Sequence, residues 1–265
     1  MILPAEVVHP DDPVGIGVLL LAGSSGRIDH GRAELLARHG ATVRPLRWFG
    51  GPGLQPGPYE VPLELFADAL DLLALECDRL AVIGTSFGAE AALLIAADDV
   101  RITATVAFAP TSVVWGGWDG DRETSHWTRA GHPVPYVPLV RDAWPTEQPP
   151  AFRDLYAASL AAHPAEVDEA SLPVEKIRGE LILVAGGDDQ VWPSVDFAGR
   201  IARRRHDHDL ETTVISHPTA GHRTVLPGEP IVRGGQTMLR GGTPGADAEL
   251  GRRAWQHLTA ALNLR

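Results

Sequence analysis

Gly84-Thr85-Ser86-Phe87-Gly88 lies between an apolar run, Leu80-Ala81-Val82-Ile83, and an alanine-rich run from Ala89 to Ala97. The first run reads as a strand and the second as a helix. A serine with glycine two positions away on each side, at such a junction, is the signature of a nucleophile elbow. The turn must be sharp for the hydroxyl to project above the sheet edge. Side chains two positions either side would collide in it, so both are glycine. With 28 glycines in 265 residues the pattern alone is weak, and its context has to carry it.

The context extends in both directions. Val14-Gly15-Ile16-Gly17-Val18-Leu19-Leu20-Leu21 reads as a buried strand that ends in the loop Ala22-Gly23-Ser24-Ser25-Gly26. A helix is expected over about residues 29–39, closed by Gly40, and a strand over residues 41–46. Past a Gly/Pro-rich stretch at 50–58, a helix is expected over 63–76, with Pro62 near its first turn, where a missing N–H costs nothing. Residues 102–108, 181–185 and 212–215 read as strands, and 194–205 and about 247–262 as helices. Continuously apolar strands alternating with helices predict a parallel sheet covered on both faces.

The rhythm breaks at residues 111–150, or to 175 on the widest reading. Four of the seven tryptophans fall there: Trp115, Trp118, Trp127 and Trp144. An irregular stretch of this length inside a compact domain is usually functional. It is expected to cap the site within a single domain spanning 1–265. Trp115, Trp118, Trp127 and, from a later loop, Trp192 would line an apolar pocket. The same aromatics could instead pin an irregular segment to the core.

Bulk properties exclude several classes. A net charge of −11 argues against nucleic acid or an anionic membrane as partner. The one cysteine, Cys77, can form no intrachain disulfide, which suits a reducing cytoplasm, and it reads as a small core residue. Met1-Ile2-Leu3-Pro4-Ala5-Glu6 lacks the basic and apolar regions of a signal peptide. The longest apolar run, residues 14–22, is too short to span a bilayer.

A serine nucleophile needs a base, and the base needs an orienting carboxylate. After the strand at 181–185 comes Gly186-Gly187-Asp188-Asp189-Gln190-Val191-Trp192-Pro193. Asp189 is preferred over Asp188 as the acid, and a turn-capping aspartate is the alternative for either. After the last strand comes Ser216-His217-Pro218-Thr219-Ala220-Gly221-His222, where His222 is preferred as the base and His217 as structural. The chain order Ser, acid, His is that of an α/β-hydrolase. Phe87 N–H and an N–H from Ser24 or Ser25 would form the oxyanion hole. The loop at 22–26 has neither a Walker nor a dinucleotide pattern, so nucleotide binding is rejected. His206-Asp207-His208-Asp209 reads as a polar helix end rather than a metal site. Glu90, inside an apolar helix, is either a structural acceptor or a support for the site.

These residues resemble the C-terminal catalytic domain shared by acyl-CoA thioester hydrolases and bile acid-CoA:amino acid N-acyltransferase. The elbow with its following Ala89-Glu90, the acid loop Gly186 to Trp192, and Pro218 to His222 carry the likeness. So do Ile231-Val232-Arg233-Gly234-Gly235 and Ala254-Trp255. The match runs from about Val14 to the C-terminus. Animal members carry an immunoglobulin-like N-terminal domain. This chain begins about thirteen residues before its first core strand, so that domain is expected to be absent. The resemblance implies a cytoplasmic serine hydrolase of acyl-CoA or acyl carrier protein thioesters, with no cofactor or metal. In the family, cysteine goes with acyl transfer and serine with hydrolysis. Arg27, Arg129 and Arg223 are candidates for CoA phosphates, each also readable as a solvated surface residue. Rival readings are a carboxylesterase or dienelactone-hydrolase-like enzyme, an acyltransferase, and a non-catalytic ligand-binding protein. A homo-oligomer stays open.

Overall fold

The computed structural model describes residues 6–231 and 235–265. The stretch on which a leader peptide was judged, residues 1–5, lies outside the described residues. So do residues 232–234 of the apolar-x-Gly-Gly segment.

In chain order the elements are β1 (Ile16–Leu21), α1 (His30–Arg38), β2 (Thr42–Leu46), β3 (Val61–Pro62), α2 (Glu64–Ala74), β4 (Arg79–Thr85) and α3 (Phe87–Asp98). They continue with β5 (Ile102–Phe108), β6 (Gly116–Trp118), β7 (Glu123–Ser125), β8 (Trp127–Arg129), β9 (His132–Pro133), α4 (Arg153–Ala162) and α5 (Pro164–Glu169). The chain ends with β10 (Glu180–Gly186), α6 (Ser194–His206), β11 (Thr213–His217) and α7 (Pro244–Leu262). Among the described residues no helix is long and apolar enough to cross a membrane.

The central sheet has the order β11-β10-β5-β4-β1-β2. Every pairing in it is parallel. This is the α/β-hydrolase architecture that the alternating pattern predicts. Because both faces are covered, alternate side chains enter two separate cores. Leu19, Leu21, Val82 and Leu183 join the core under α2, α3 and α6, while Val18, Leu20, Ile83 and Val184 join the one under α1 and α7. From β1 the chain moves to β2 on one side and returns to β4 on the other. Such a reversal opens a crevice at the carboxyl ends of the two strands. Both the loop after β1 and Ser86 after β4 sit there.

Three expectations needed correction. Residues 111–150 are not without structure: β6–β7 form a hairpin, and β8 pairs with both β3 and β9. Strands of two or three residues are too short to show a period. Helices α4 and α5 were not foreseen, because the apolar stripe of α4 is diluted by alanines. Pro62 lies in β3, paired with Thr128, and α2 starts after Leu63.

Candidate active site

Ser86 caps the N-terminus of α3 with φ +59° and ψ −123°. This left-handed region is costly for a residue with a Cβ and marks a tightly specified turn. The Ser86 N–H donates to the Phe108 carbonyl at 2.9 Å, tying the turn to β5. A Cβ at Gly84 would sit 2.1 Å from the Gly88 carbonyl oxygen, and one at Gly88 would sit 2.5 Å from those of Leu21 and Ala22. Both glycines are therefore required by backbone contact. A Cβ at Gly23 would meet the Ser86 Cβ at 2.9 Å, so the loop after β1 lies against the serine. Phe87 begins α3, where backbone N–H groups have no acceptor within the helix. Ser24 and Ser25 line the same cavity as Ser86.

The structure brings Asp189 and His222 together. His222 Nδ1 lies 2.8 Å from Asp189 Oδ2, with Asp189 fully buried. Asp189 Oδ1 accepts the N–H groups of Val191 and Trp192 at 2.8 and 3.2 Å, and Oδ2 also accepts the Ser194 hydroxyl. A carboxylate held by this many donors has one orientation, so the imidazole it carries has one too. His222 lines the cavity with Ser86. Asp188 turns away: it accepts Gly242 N–H and the Gln190 amide, each at 2.8 Å. Its carboxyl is held below the usual range first by the Gly242 hydrogen bond and then by that of Gln190. His217 ends β11 and accepts the Thr219 N–H at 3.3 Å.

The cavity has a volume of about 770 Å³. Residues 116–144 contribute to its wall, but not through most of the tryptophans expected there. Trp118 lines it as expected, joined by Trp144, whereas Trp115, Trp127 and Trp192 do not. Those three are fully buried. Their indole N–H groups are spent on internal acceptors: Thr111 Oγ1, Glu90 Oε1 and the Ala109 carbonyl. They are anchors, the second of the two roles the sequence allowed. The apolar floor comes instead from Leu139, Phe152, Leu155, Tyr156, Val191 and Met238. Burial, with the Glu90 and Asp189 charges adding to it, raises the Tyr156 hydroxyl well above the usual tyrosine range.

Glu90 fastens residues 115–127 to α3. It is fully buried on α3 and accepts the Trp115 backbone N–H at 3.1 Å and the Trp127 indole at 2.7 Å. His126 Nδ1 lies 3.2 and 3.3 Å from its two oxygens. The His126 ring lies 4.2 Å from that of Phe87, centroid to centroid, and borders the cavity.

Two features went unseen in the sequence. Arg32 on α1 is buried and bonds Glu229 at 3.1 Å, Thr85 Oγ1 at 3.2 Å and the Thr224 carbonyl at 3.1 Å, with its guanidinium 4.4 Å from the Phe108 ring centroid. It ties the residue before Ser86 to the loop that carries His222. An arginine in an otherwise ordinary helix carries no signal for such a role. Arg141 and Arg240, which the sequence did not single out, line the cavity beside Arg27 and Arg223, which it did. Of the three arginines singled out for phosphate, Arg129 lies elsewhere, paired with Asp98 at 2.6 Å.

Residues 61–263 match the family model described as BAAT / acyl-CoA thioester hydrolase C terminal. Acyl-coenzyme A amino acid N-acyltransferase 2 of Mus musculus is 27% identical over 264 residues, which cover 91% of this chain and 58% of that protein. Acyl-coenzyme A thioesterase 6 of Homo sapiens is 27% identical over 273 residues, covering 96% and 61%. The chain thus spans about three-fifths of the length of these relatives. A crystal structure from Klebsiella pneumoniae subsp. pneumoniae, assigned as a dienelactone hydrolase, superposes with a TM-score of 0.57. It covers 98% of this chain and 92% of the other at 14% identity, a likeness of fold.

Proposed function

The chain belongs to the BAAT / acyl-CoA thioester hydrolase C-terminal family, and from that premise we propose that it is a serine hydrolase of acyl thioesters. The observation that carries the reading is the Asp189–His222 contact of 2.8 Å, bordering the cavity that also holds Ser86. A histidine whose Nδ1 faces a buried carboxylate carries its proton there, which leaves Nε2 as the base. In this reading Nε2 takes the proton from Ser86 as Oγ attacks the acyl carbonyl. The tetrahedral oxyanion is held by the N–H groups of Phe87 and of Ser24 or Ser25. The thiol leaves with the proton from His222. Water, activated by the same imidazole, then releases the acid and frees Ser86. The chemistry calls for no metal and no cofactor. The apolar floor suits an acyl chain, and residues 111–150 serve as the cap of a single domain. The carrier is coenzyme A or an acyl carrier protein. Serine rather than cysteine at position 86 favours water over an amine as acceptor.

The test is thiol release from a series of acyl-CoA thioesters, with Ser86→Ala and Asp189→Asn beside the wild type. Ser86→Ala is expected to lower kcat by about 10⁶-fold, and Asp189→Asn by about 10⁴-fold through the wrong imidazole tautomer. Wild-type protein that cleaves p-nitrophenyl esters but no thioester would move the reading to a carboxylesterase. Acid and amide products in the presence of an amine distinguish hydrolysis from transfer.

A further inference from the structure

The chain carries 34 acidic and 23 basic residues, yet its cavity has the opposite sign. Among the described residues, four arginines, Arg27, Arg141, Arg223 and Arg240, line it, against one acidic residue, Glu123. Glu123 is engaged within the cap, accepting the Leu139 N–H at 2.7 Å. Arg141 lies over the Trp118 ring at 4.0 Å on the cap side. The other three form a rim beside the loop of Ser24 and Ser25.

Two guanidinium groups of that rim converge on one point. A Cβ at Gly235 would lie 3.3 Å from Arg240 Nη2, 3.9 Å from Arg223 Nη2 and 3.9 Å from the Ser25 Cβ. The missing side chain leaves a cradle between two cations and the loop. The Gln236 side chain donates to the Ser24 carbonyl at 3.2 Å, which fixes this segment over the same loop. The cluster works against itself electrostatically. Burial, then the charges of Arg240 and Arg27, depress the proton affinity of Arg223, with Asp247 and Asp29 as the opposing carboxylates. Like charges held together in this way become favourable when an anion enters between them.

We propose that Arg223 and Arg240, with Arg27 beside them, form a phosphate-recognition rim that holds the carrier arm of the thioester. The inference rests on the thioesterase reading above and adds which arm goes where. A thioester has one apolar arm and one polyanionic arm. The apolar floor, with Leu155 and Val191 buried, matches the acyl arm. The rim is half-buried at Arg223 and Arg240 and exposed at Arg27, so a phosphate there keeps part of its hydration. Two to three guanidinium groups match a phosphate ester better than a single carboxylate. The shared ligand chemistry is the phosphate of a pantetheine arm, whether on coenzyme A or on an acyl carrier protein.

The experiment compares one acyl group on CoA, on phosphopantetheine, on pantetheine and on N-acetylcysteamine. Wild type is expected to lose about 10- to 100-fold in kcat/KM from acyl-CoA to acyl-pantetheine. In the double variant Arg223→Gln/Arg240→Gln the ratio of the two values should fall towards one. Raising the salt concentration should raise KM for acyl-CoA in the wild type and leave the pantetheine thioester unaffected. That arm needs no variant and stands if the double variant fails to fold. Activity retained on acyl-phosphopantetheine assigns the rim to the phosphate that both carriers share. Activity falling to the pantetheine level assigns it to the adenosine phosphates of CoA. The proposal is overturned if wild type treats acyl-CoA and acyl-pantetheine alike, or if the variant lowers both equally. Wild type that cleaves none of the four refutes the thioesterase reading itself.

Discussion

Replacing Glu90 by alanine removes the carboxyl on which the cap is fastened to α3. Three buried donors lose their acceptor: the Trp115 N–H, the Trp127 indole and His126 Nδ1. Each unpaired buried donor costs about 1–3 kcal/mol. Part of that is offset, because a fully buried carboxyl no longer has to be desolvated. The net loss expected is about 3–5 kcal/mol. Glu90→Gln is milder. Its carbonyl oxygen still accepts both tryptophan donors, and its amide faces His126 Nδ1, which can accept in the other tautomer. A loss of about 1–2 kcal/mol is expected, the difference between charge-assisted and neutral hydrogen bonds. Equilibrium urea unfolding followed by tryptophan fluorescence measures both, since Trp115 and Trp127 are buried reporters on the cap. The His126–Phe87 contact predicts a further effect: kcat should fall more than KM rises, because Phe87, the proposed oxyanion donor, shifts. An alanine variant within about 1 kcal/mol of wild type would refute the fastening role. A glutamine variant as unstable as the alanine one would refute the donor-by-donor account.

Other outcomes follow from the same geometry. Arg32→Met strands the buried Glu229 carboxylate and should cost about 3–5 kcal/mol, while Arg32→Met/Glu229→Leu should recover most of it; a double variant no better than the single would sink the pairing argument. Gly84→Ala should yield no folded protein because of the 2.1 Å approach to Gly88, whereas Gly245→Ala, with nothing within 4 Å, should be neutral or stabilising by about 0.4–1 kcal/mol. Asp188 has a depressed folded-state pKa, so its stabilisation is present above the unfolded value of about 3.9 and is lost as pH falls through the folded one. Asp188→Asn should therefore flatten the acid limb of the stability curve below about pH 4, as read from urea midpoints against pH.

Much of the fold could be read along the chain because its signals are local. Strands β1, β4 and β10 of the central sheet carry unbroken apolar runs, and each leads into a loop rich in glycine with serine or aspartate. The order of Ser86, Asp189 and His222 follows from which strand each loop succeeds. Asp189 could be preferred to Asp188 on spacing, and the hydrogen bond to His222 is made by Asp189. The cap was harder. Its strands have two or three residues, and some pairings span long stretches of chain: Val61 pairs with Trp127, and Val113 with Ser171. The tryptophans were visible as residues but not as sides. Whether an indole borders a cavity or fills a core depends on which acceptor its N–H finds, and those acceptors sit on α3 and on the loop after β5.

The sequence by itself determined the parallel sheet, the sharp turn at Ser86 and the family. These depend on periodicity, on turn chemistry and on short motifs, all written within a few residues of one another. Only the tertiary structure decided what surrounds the serine. Arg32 and Glu229 meet across 197 residues of chain, and Glu90 meets Trp127 across 37. The positive cavity in a chain of net charge −11 is of the same kind. Net charge is a sum over composition, but the field at a site depends on distance and burial, and only the folded chain fixes those.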